Sequence, residues 1–166
     1  MRRALAGALL LIETATLPAL AQRRAEVERT PQLFILRVPG SFDDVMTSLQ
    51  EAIKRRNYVV TGINNLDETL AQRSRDVGGP PLSWERYKVV GFCNLTLVDE
   101  AIRRNPAVGA FLPCRAVVYQ ARGVRETTVV AFRPSFVAQA LGERMESVMQ
   151  QVEADILAIL AEVAVD

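Results

Sequence analysis

The sequence predicts an α+β fold, with a single, mainly antiparallel, curved sheet of about five strands and two long helices packed on one face. The first observation is a set of short runs rich in β-branched and aromatic residues, each bounded by turn-forming residues. The second is a pair of longer segments, one early and one at the carboxyl end, whose apolar residues repeat at helical spacing. The third is that the last two β-rich runs, 114–121 and 125–132, are close enough in sequence to form a hairpin.

The amino-terminal segment has the layout of a secretory signal. Arg2 and Arg3 precede an apolar run at 4–12, and the small residues Ala19 and Ala21 indicate cleavage after Ala21. The apolar run is much shorter than the roughly 20 residues that span a bilayer, so no stable membrane span is expected. The alternative interpretation is an amphipathic or disordered amino terminus. We therefore expect the mature protein in the periplasm or secreted from the cell.

This interpretation divides the chain into a signal peptide at 1–21, a charged leader segment at 22–32 and a single α+β domain at 33–166. Removal of the signal changes the formal net charge from +1 to zero. A neutral mature chain has no electrostatic basis for binding nucleic acid or an anionic membrane. The hydrophobic fraction of 49% is that of a globular domain.

The first half of the domain contains the clearest local signals. The run LFILRV at 33–38 predicts a strand, which Pro-Gly-Ser then ends. Ser41 and Asp44 have the spacing of a capping box, and the apolar residues that follow predict a helix over 42–56. The other predicted elements of this half are a strand at 58–63, a short helix at about 67–75 and a Gly-Gly-Pro-Pro loop.

The second half alternates strands and helices in the same way. The run YKVVGFCN at 87–94 predicts a third strand, and Thr96 with Asp99 is predicted to cap a short helix. An apolar stripe over 145–163 predicts the final long helix and is typical of core packing. Between these elements the sequence predicts the two hairpin strands, a turn at Arg122 and Gly123, and a short helical segment after Pro134.

The segments NNLDETL, YKVVGFCN and NPAVGAFLPCRAVVYQ together resemble the family called domain of unknown function 302, in particular its exported bacterial members with Cys-Asn and Leu-Pro-Cys-Arg motifs. The resemblance covers 33–163, which is nearly the whole mature chain. It implies a fold similar to one repeat of the TATA-binding-protein architecture, and homodimers, but no established activity. One departure is that RGVRETTV lacks the Asp-Gly turn expected in many relatives, which affects only the hairpin geometry.

The two cysteines form the main candidate site. Cys93 ends the third predicted strand and Cys114 begins the fourth, so the two thiols approach each other if these strands are antiparallel neighbours. In a parallel arrangement they would lie on the order of 20 Å apart, whereas a disulfide requires Cα atoms within about 7 Å. We favour the antiparallel arrangement and predict a Cys93–Cys114 disulfide in an oxidising compartment. Asn94 and Arg115 complete the candidate ligand or redox site, and Arg115 is expected to favour the Cys114 thiolate.

Metal binding has limited support in the sequence. A structural zinc site needs four Cys or His ligands, and the chain has two cysteines and no histidine. Cu(I) accepts two thiolates and sometimes a methionine, so a Cu(I) site remains an alternative. The sequence therefore predicts no resident cofactor.

The absence of histidine excludes serine-type triads and other histidine-dependent catalysis, and the chain has neither a Walker A motif nor a Gly-x-Gly-x-x-Gly fingerprint. The favoured function is an exported, non-enzymatic module that binds a small ligand or a periplasmic protein. The alternative is a periplasmic thiol-disulfide redox or Cu(I)-handling protein, and a histidine-free hydrolase or transferase has no positive support. A ligand or a second copy of the chain is expected on the sheet face that the helices leave uncovered.

Overall fold

The structure is a computed structural model that describes residues 25–77 and 84–165. The predicted signal peptide and the Gly-Gly-Pro-Pro loop lie outside the described residues. Within the described residues, no helix combines the length and apolar character needed to cross a membrane.

The described part of the chain forms one six-stranded sheet with the order β1-β2-β6-β5-β4-β3. Every neighbouring pair is antiparallel, and β5 and β6 form the predicted hairpin. The predicted α+β class and antiparallel sheet are thereby confirmed. The strands are β1 (Val27–Arg29), β2 (Leu33–Pro39), β3 (Val59–Asn65), β4 (Trp84–Cys93), β5 (Cys114–Ala121) and β6 (Glu126–Phe132).

The helices lie between the strands and at the carboxyl end. They are α1 (Phe42–Arg55), α2 (Leu66–Gln72), α3 (Ser74–Val77), α4 (Leu95–Arg104), α5 (Pro134–Leu141) and α6 (Glu146–Val163). Two short 3-10 segments, Pro106–Phe111 and Glu143–Met145, precede β5 and α6 respectively.

Helix α1 begins as the sequence predicts. The Ser41 hydroxyl accepts a hydrogen bond from the Asp44 backbone N–H at 3.2 Å and donates one to the Asp44 carboxylate at 2.6 Å. These contacts satisfy an N–H that the helix itself leaves without a partner. Lys54 and Arg55 lie in the last turn, where their charges complement the helix dipole.

The main core lies between one face of the sheet and the two long helices. Leu36, Val129 and Val118 form a register row across β2, β6 and β5, and each is fully buried. Leu49 of α1 and Ile156 of α6 belong to the same cluster. A second, smaller apolar cluster joins α4, α5, α6 and both 3-10 segments. The predicted placement of both long helices on one face is therefore correct.

Three local features differ from the sequence predictions. Strand β1 lies inside the segment interpreted as a leader, and its residues pair with β2 from Val27 opposite Leu36 to Arg29 opposite Phe34. Such a short charged strand has no periodicity of its own and forms because β2 offers a free edge. The single helix predicted at 67–75 is divided into α2 and α3 at Arg73.

The third difference is the cap of α4. The Asn94 side-chain oxygen accepts hydrogen bonds from the backbone N–H groups of Thr96 and Leu97, at 3.1 and 3.2 Å. Asn94 and not Thr96 is therefore the capping residue, and α4 begins at Leu95. Asparagine is among the residues that most favour this position, so the local chemistry is ordinary.

Candidate functional site

The two cysteines lie on neighbouring antiparallel strands, as predicted. Phe92 of β4 pairs in register with Cys114 of β5, so Cys93 is one residue beyond the last pair, where β4 gives way to α4. The solvent-exposed fractions of Cys93 and Cys114 are only 8% and 7%, and both are free thiols.

Burial controls the protonation of both thiols. It raises the pKa of Cys114 to about 12, with a further rise from the neighbouring Cys93. Burial also raises the pKa of Cys93, although the hydrogen bond from the Cys114 backbone opposes this. Both groups are therefore neutral thiols near pH 7. A neutral, buried thiol is a weak nucleophile, because the thiolate is the reactive species.

Both cysteines line one small cavity of about 30 Å³, which is room for a water molecule or a single ion. The cavity lies where β4, β5 and β6 meet α4, α5 and α6. The side chains around it are mostly apolar, and a third sulfur comes from Met149 of α6. The lining residues are Tyr58, Cys93, Asn94, Leu97, Val98, Ala101, Val108, Phe111, Leu112, Cys114, Phe132, Pro134, Val137, Met149 and Val152.

Tyr58 provides the phenol that borders the cavity. Its hydroxyl donates a hydrogen bond to the Asp155 carboxylate at 2.9 Å, and its ring meets Phe92 edge-on at a centroid distance of 5.9 Å. Burial, followed by the Asp155 contact, raises the pKa of Tyr58. Tyr58 therefore remains a neutral donor that joins the start of β3 to α6 beside the cavity, and it does not act as a base.

The structure brings together only part of the predicted site. Asn94 borders the cavity, but its side-chain oxygen already accepts the two hydrogen bonds that cap α4. Arg115 is exposed and follows Cys114 in a strand, so its side chain projects from the opposite face of the sheet. Arg115 is therefore not placed to stabilise a Cys114 thiolate, and the pair is surrounded by apolar residues.

Sequence reasoning did not associate Met149 and Tyr58 with the cysteines. The apolar stripe of the final helix correctly predicts that Met149 is buried, but nothing in that stripe indicates which of its members faces the thiols. Tyr58 lies just before β3 and reaches the cavity only through the tertiary fold. No signal in a single sequence would have identified either residue.

A second candidate surface is the face of the sheet opposite α1 and α6, here called the open face. The register row of Ile35, Val130, Val117 and Val89 crosses four strands on this face. All four side chains are partly exposed, and none belongs to either buried cluster. Within residues 25–77 and 84–165, no helix therefore packs over this apolar row.

Aromatic residues extend this row toward one end of the open face. Tyr119 of β5 is stacked on Tyr87 of β4, with ring centroids 5.9 Å apart, and meets Trp84 edge-on at 4.7 Å. In the same register row as the two tyrosines lies Arg37, which forms an ion pair with Glu28 at 2.8 Å. The open face thus combines an apolar centre with aromatic and charged margins.

The charged clusters of the other face fix helices to the sheet. Lys88 is 9% exposed, and its ammonium donates to Asn65 at 2.8 Å and to Glu68 at 3.0 Å, which holds α2 against β4. Arg86 binds Asp43 of α1 at 2.6 Å. Glu68 and Asp43 lie in the first turns of α2 and α1, where their charges complement the helix dipole. Among the described residues, no group of three or more Cys, Asp or Glu side chains is arranged to hold a metal ion.

Comparison with known proteins places the chain in a family. The sequence profile of the family described as Domain of unknown function DUF302 matches residues 34–163. The crystal structure of an uncharacterized conserved protein DUF302 from Bacillus stearothermophilus is similar, with a TM-score of 0.70 and 21% sequence identity. The similarity covers 80% of this chain and 98% of the other, and at this identity it concerns the fold alone. A comparison with curated proteins gives no match. Because the profile spans most of the chain, the protein belongs to the DUF302 family, as its motifs predict.

Proposed function

We propose that the protein is an exported, non-enzymatic binding module that binds through its open face. The observation that carries this proposal is the apolar row of Ile35, Val130, Val117 and Val89, which no helix of the described residues covers. A sheet with one solvated face normally presents polar side chains there. A contiguous apolar patch with polar margins is typical of an interaction site.

The occupant that we propose is a second copy of the chain. In a two-fold dimer each copy presents the same patch, so a surface that is apolar at its centre and polar at its margins is complementary to itself. Tyr119, Tyr87 and Trp84 supply rigid aromatic area of the kind enriched at interfaces. Arg37 and Glu28 supply both signs of charge at the margin of the same face.

The chemistry of the cysteine pair supports a structural role over catalysis. Both thiols are buried, and the pKa of each is raised. A thiol-disulfide oxidoreductase needs an accessible thiolate, which this environment disfavours. We propose that the mature protein instead contains a structural Cys93–Cys114 disulfide, formed after export while the chain is still folding.

Export is tested by the amino terminus of periplasmic material. The mature chain is expected to begin at Gln22, after the Ala-Leu-Ala site. Peptide mass spectrometry of the periplasmic fraction measures this directly. An intact Met1 in that fraction would contradict the signal peptide and remove the oxidising context for the disulfide.

The open face is tested by the substitution Val117→Glu, which places a charge at the centre of the apolar row. Light scattering at tens of micromolar is expected to give a dimer mass for the wild type and a monomer mass for the variant, because burial of an unpaired charge is costly. Val124→Glu is the matched control, since Val124 is 48% exposed in the hairpin turn, away from the row. It should remain dimeric. A monomeric wild type, or a dimeric Val117→Glu variant, would contradict the proposed surface.

A further inference from the structure

Three sulfur-containing side chains from three separate elements line the same small cavity. Cys93 ends β4, Cys114 begins β5 and Met149 lies in α6. We propose that the reduced protein binds one Cu(I) ion between Cys93, Cys114 and Met149. This inference goes beyond binding at the open face and does not depend on it.

The donor set selects for a soft ion. Thiolate and thioether sulfurs favour Cu(I), whereas magnesium, calcium and manganese favour carboxylate, carbonyl and water oxygens. The described lining of the cavity contains no carboxylate, and the chain contains no histidine. The polar groups of Tyr58 and Asn94 already form hydrogen bonds, to Asp155 and to the start of α4 respectively. Among the side chains that line the cavity, sulfur is therefore the donor that remains for a bound cation.

The dimensions of the cavity suit a bare ion. A volume of about 30 Å³ accommodates a single water-sized particle, and larger organic ligands do not fit. Cu(I) takes two or three sulfur ligands, a number that Cys93, Cys114 and Met149 supply without a ligand from outside. The apolar side chains of the walls, which include Leu97, Val137 and Val152, limit the access of solvent to the ion, and limited solvent access favours Cu(I) over its oxidised form.

The binding step conserves atoms and charge. The two S–H bonds of Cys93 and Cys114 break, two sulfur–copper bonds form, two protons pass to solvent, and copper remains Cu(I). The complex carries one net negative charge. Helix α4 begins at Leu95, two residues after Cys93, with its positive dipole end toward the site. This dipole offsets part of that charge.

Copper binding and disulfide formation use the same two sulfur atoms, so they exclude each other. The oxidised form that we propose for the mature protein has no thiolate available for copper. Conversely, a bound Cu(I) ion occupies both sulfurs and prevents their oxidation. The copper content of a sample therefore shows whether the two cysteines are reduced or oxidised. Mass spectrometry distinguishes the copper-bound form from the disulfide form.

The test is an anaerobic titration of the reduced full-length mature protein with tetrakis(acetonitrile)copper(I), in competition with bathocuproine disulfonate. The expected result is one Cu(I) per chain, and X-ray absorption of the complex should show only sulfur neighbours. Cys93→Ser and Cys114→Ser should each lower the affinity by about 100-fold or more, because loss of a second-shell partner alone costs 10- to 100-fold. Oxidised protein should not compete for copper.

Met149→Leu tests the third ligand, with an expected loss of about tenfold in affinity. Met145→Leu is the matched control, since Met145 is fully buried in the same apolar cluster but does not line the cavity. It should bind Cu(I) as the wild type does. Because these two variants replace one apolar side chain with another, they are expected to fold even if a cysteine variant does not.

Three results would overturn the proposal. The first is failure of reduced wild-type protein to take copper from the competitor at any ratio. The second is undiminished binding by a folded variant that lacks one cysteine. The third is equal affinity of Met149→Leu and Met145→Leu, which would refute the three-sulfur site.

Discussion

Reduction of the proposed Cys93–Cys114 disulfide is expected to lower the free energy of unfolding by about 3 kcal/mol. The bond closes a loop that includes α4 and the first 3-10 segment, and the entropy relation for a loop of about 22 residues gives this value. Phe92 is the residue that pairs with Cys114, and Cys93 follows it directly, so the two cysteines lie on adjacent strands one residue out of register. In the entropy relation the stabilisation comes from restriction of the unfolded chain.

The assay is denaturant unfolding of the mature protein with and without a phosphine reductant. The matched control is the double variant Cys93→Ala, Cys114→Ala, whose stability should not respond to reductant. Ellman titration or alkylation followed by mass spectrometry establishes the state of the thiols in each sample. If the bond is present and reduction leaves stability unchanged, the loop-entropy argument is refuted. If both thiols alkylate fully without reductant in anaerobically prepared periplasmic protein, the disulfide itself is refuted.

Two further predictions concern polar groups at buried or partly buried positions. The Thr127 hydroxyl is fully buried and has no hydrogen-bond partner among the described residues. Thr127→Val should therefore raise the free energy of unfolding, measured with urea, by about 1–2 kcal/mol. A loss of stability would contradict this reasoning. Burial alone would raise the pKa of Glu153, but hydrogen bonds from Ser135 and Arg133 outweigh it, so that pKa lies below its ordinary value of 4.5. Glu153 therefore stabilises the fold above about pH 4.5 and this contribution is lost as the pH falls through the lower folded value. Glu153→Gln should be less stable than the wild type by roughly 1–3 kcal/mol at pH 7, and the difference should shrink in acid; a difference that is independent of pH would refute it.

Local chemistry explains why most of the fold could be predicted from the sequence. Ser41 and Asp44 mark the start of α1 because the capping contacts involve residues three apart. The apolar stripe of α6 reports burial because its period matches the helix. The approach of Cys93 to Cys114 followed from the antiparallel pairing of β4 and β5. Each of these inferences uses interactions within one element or between adjacent elements.

The parts that were not predicted depend on contacts between distant segments. Strand β1 forms only because β2 has a free edge, and a three-residue charged segment shows nothing of this in its own sequence. Arg115 follows Cys114 directly, yet alternation along β5 separates their side chains onto opposite faces. Met149 reaches the thiols because α6 packs next to α5 and α4, which its helical period does not encode.

The two outermost strands of the sheet influence how the chain behaves when it is crowded. β1 is only three residues long and contains Glu28 and Arg29, while β3 has a register irregularity between Val60 and Gly62. Short, charged or irregular outer strands are poor templates for the addition of another strand. Open-ended growth into fibrils is therefore disfavoured at both margins. The face-to-face dimer that we propose would, in contrast, close on itself after two copies, so it would limit assembly to a finite size.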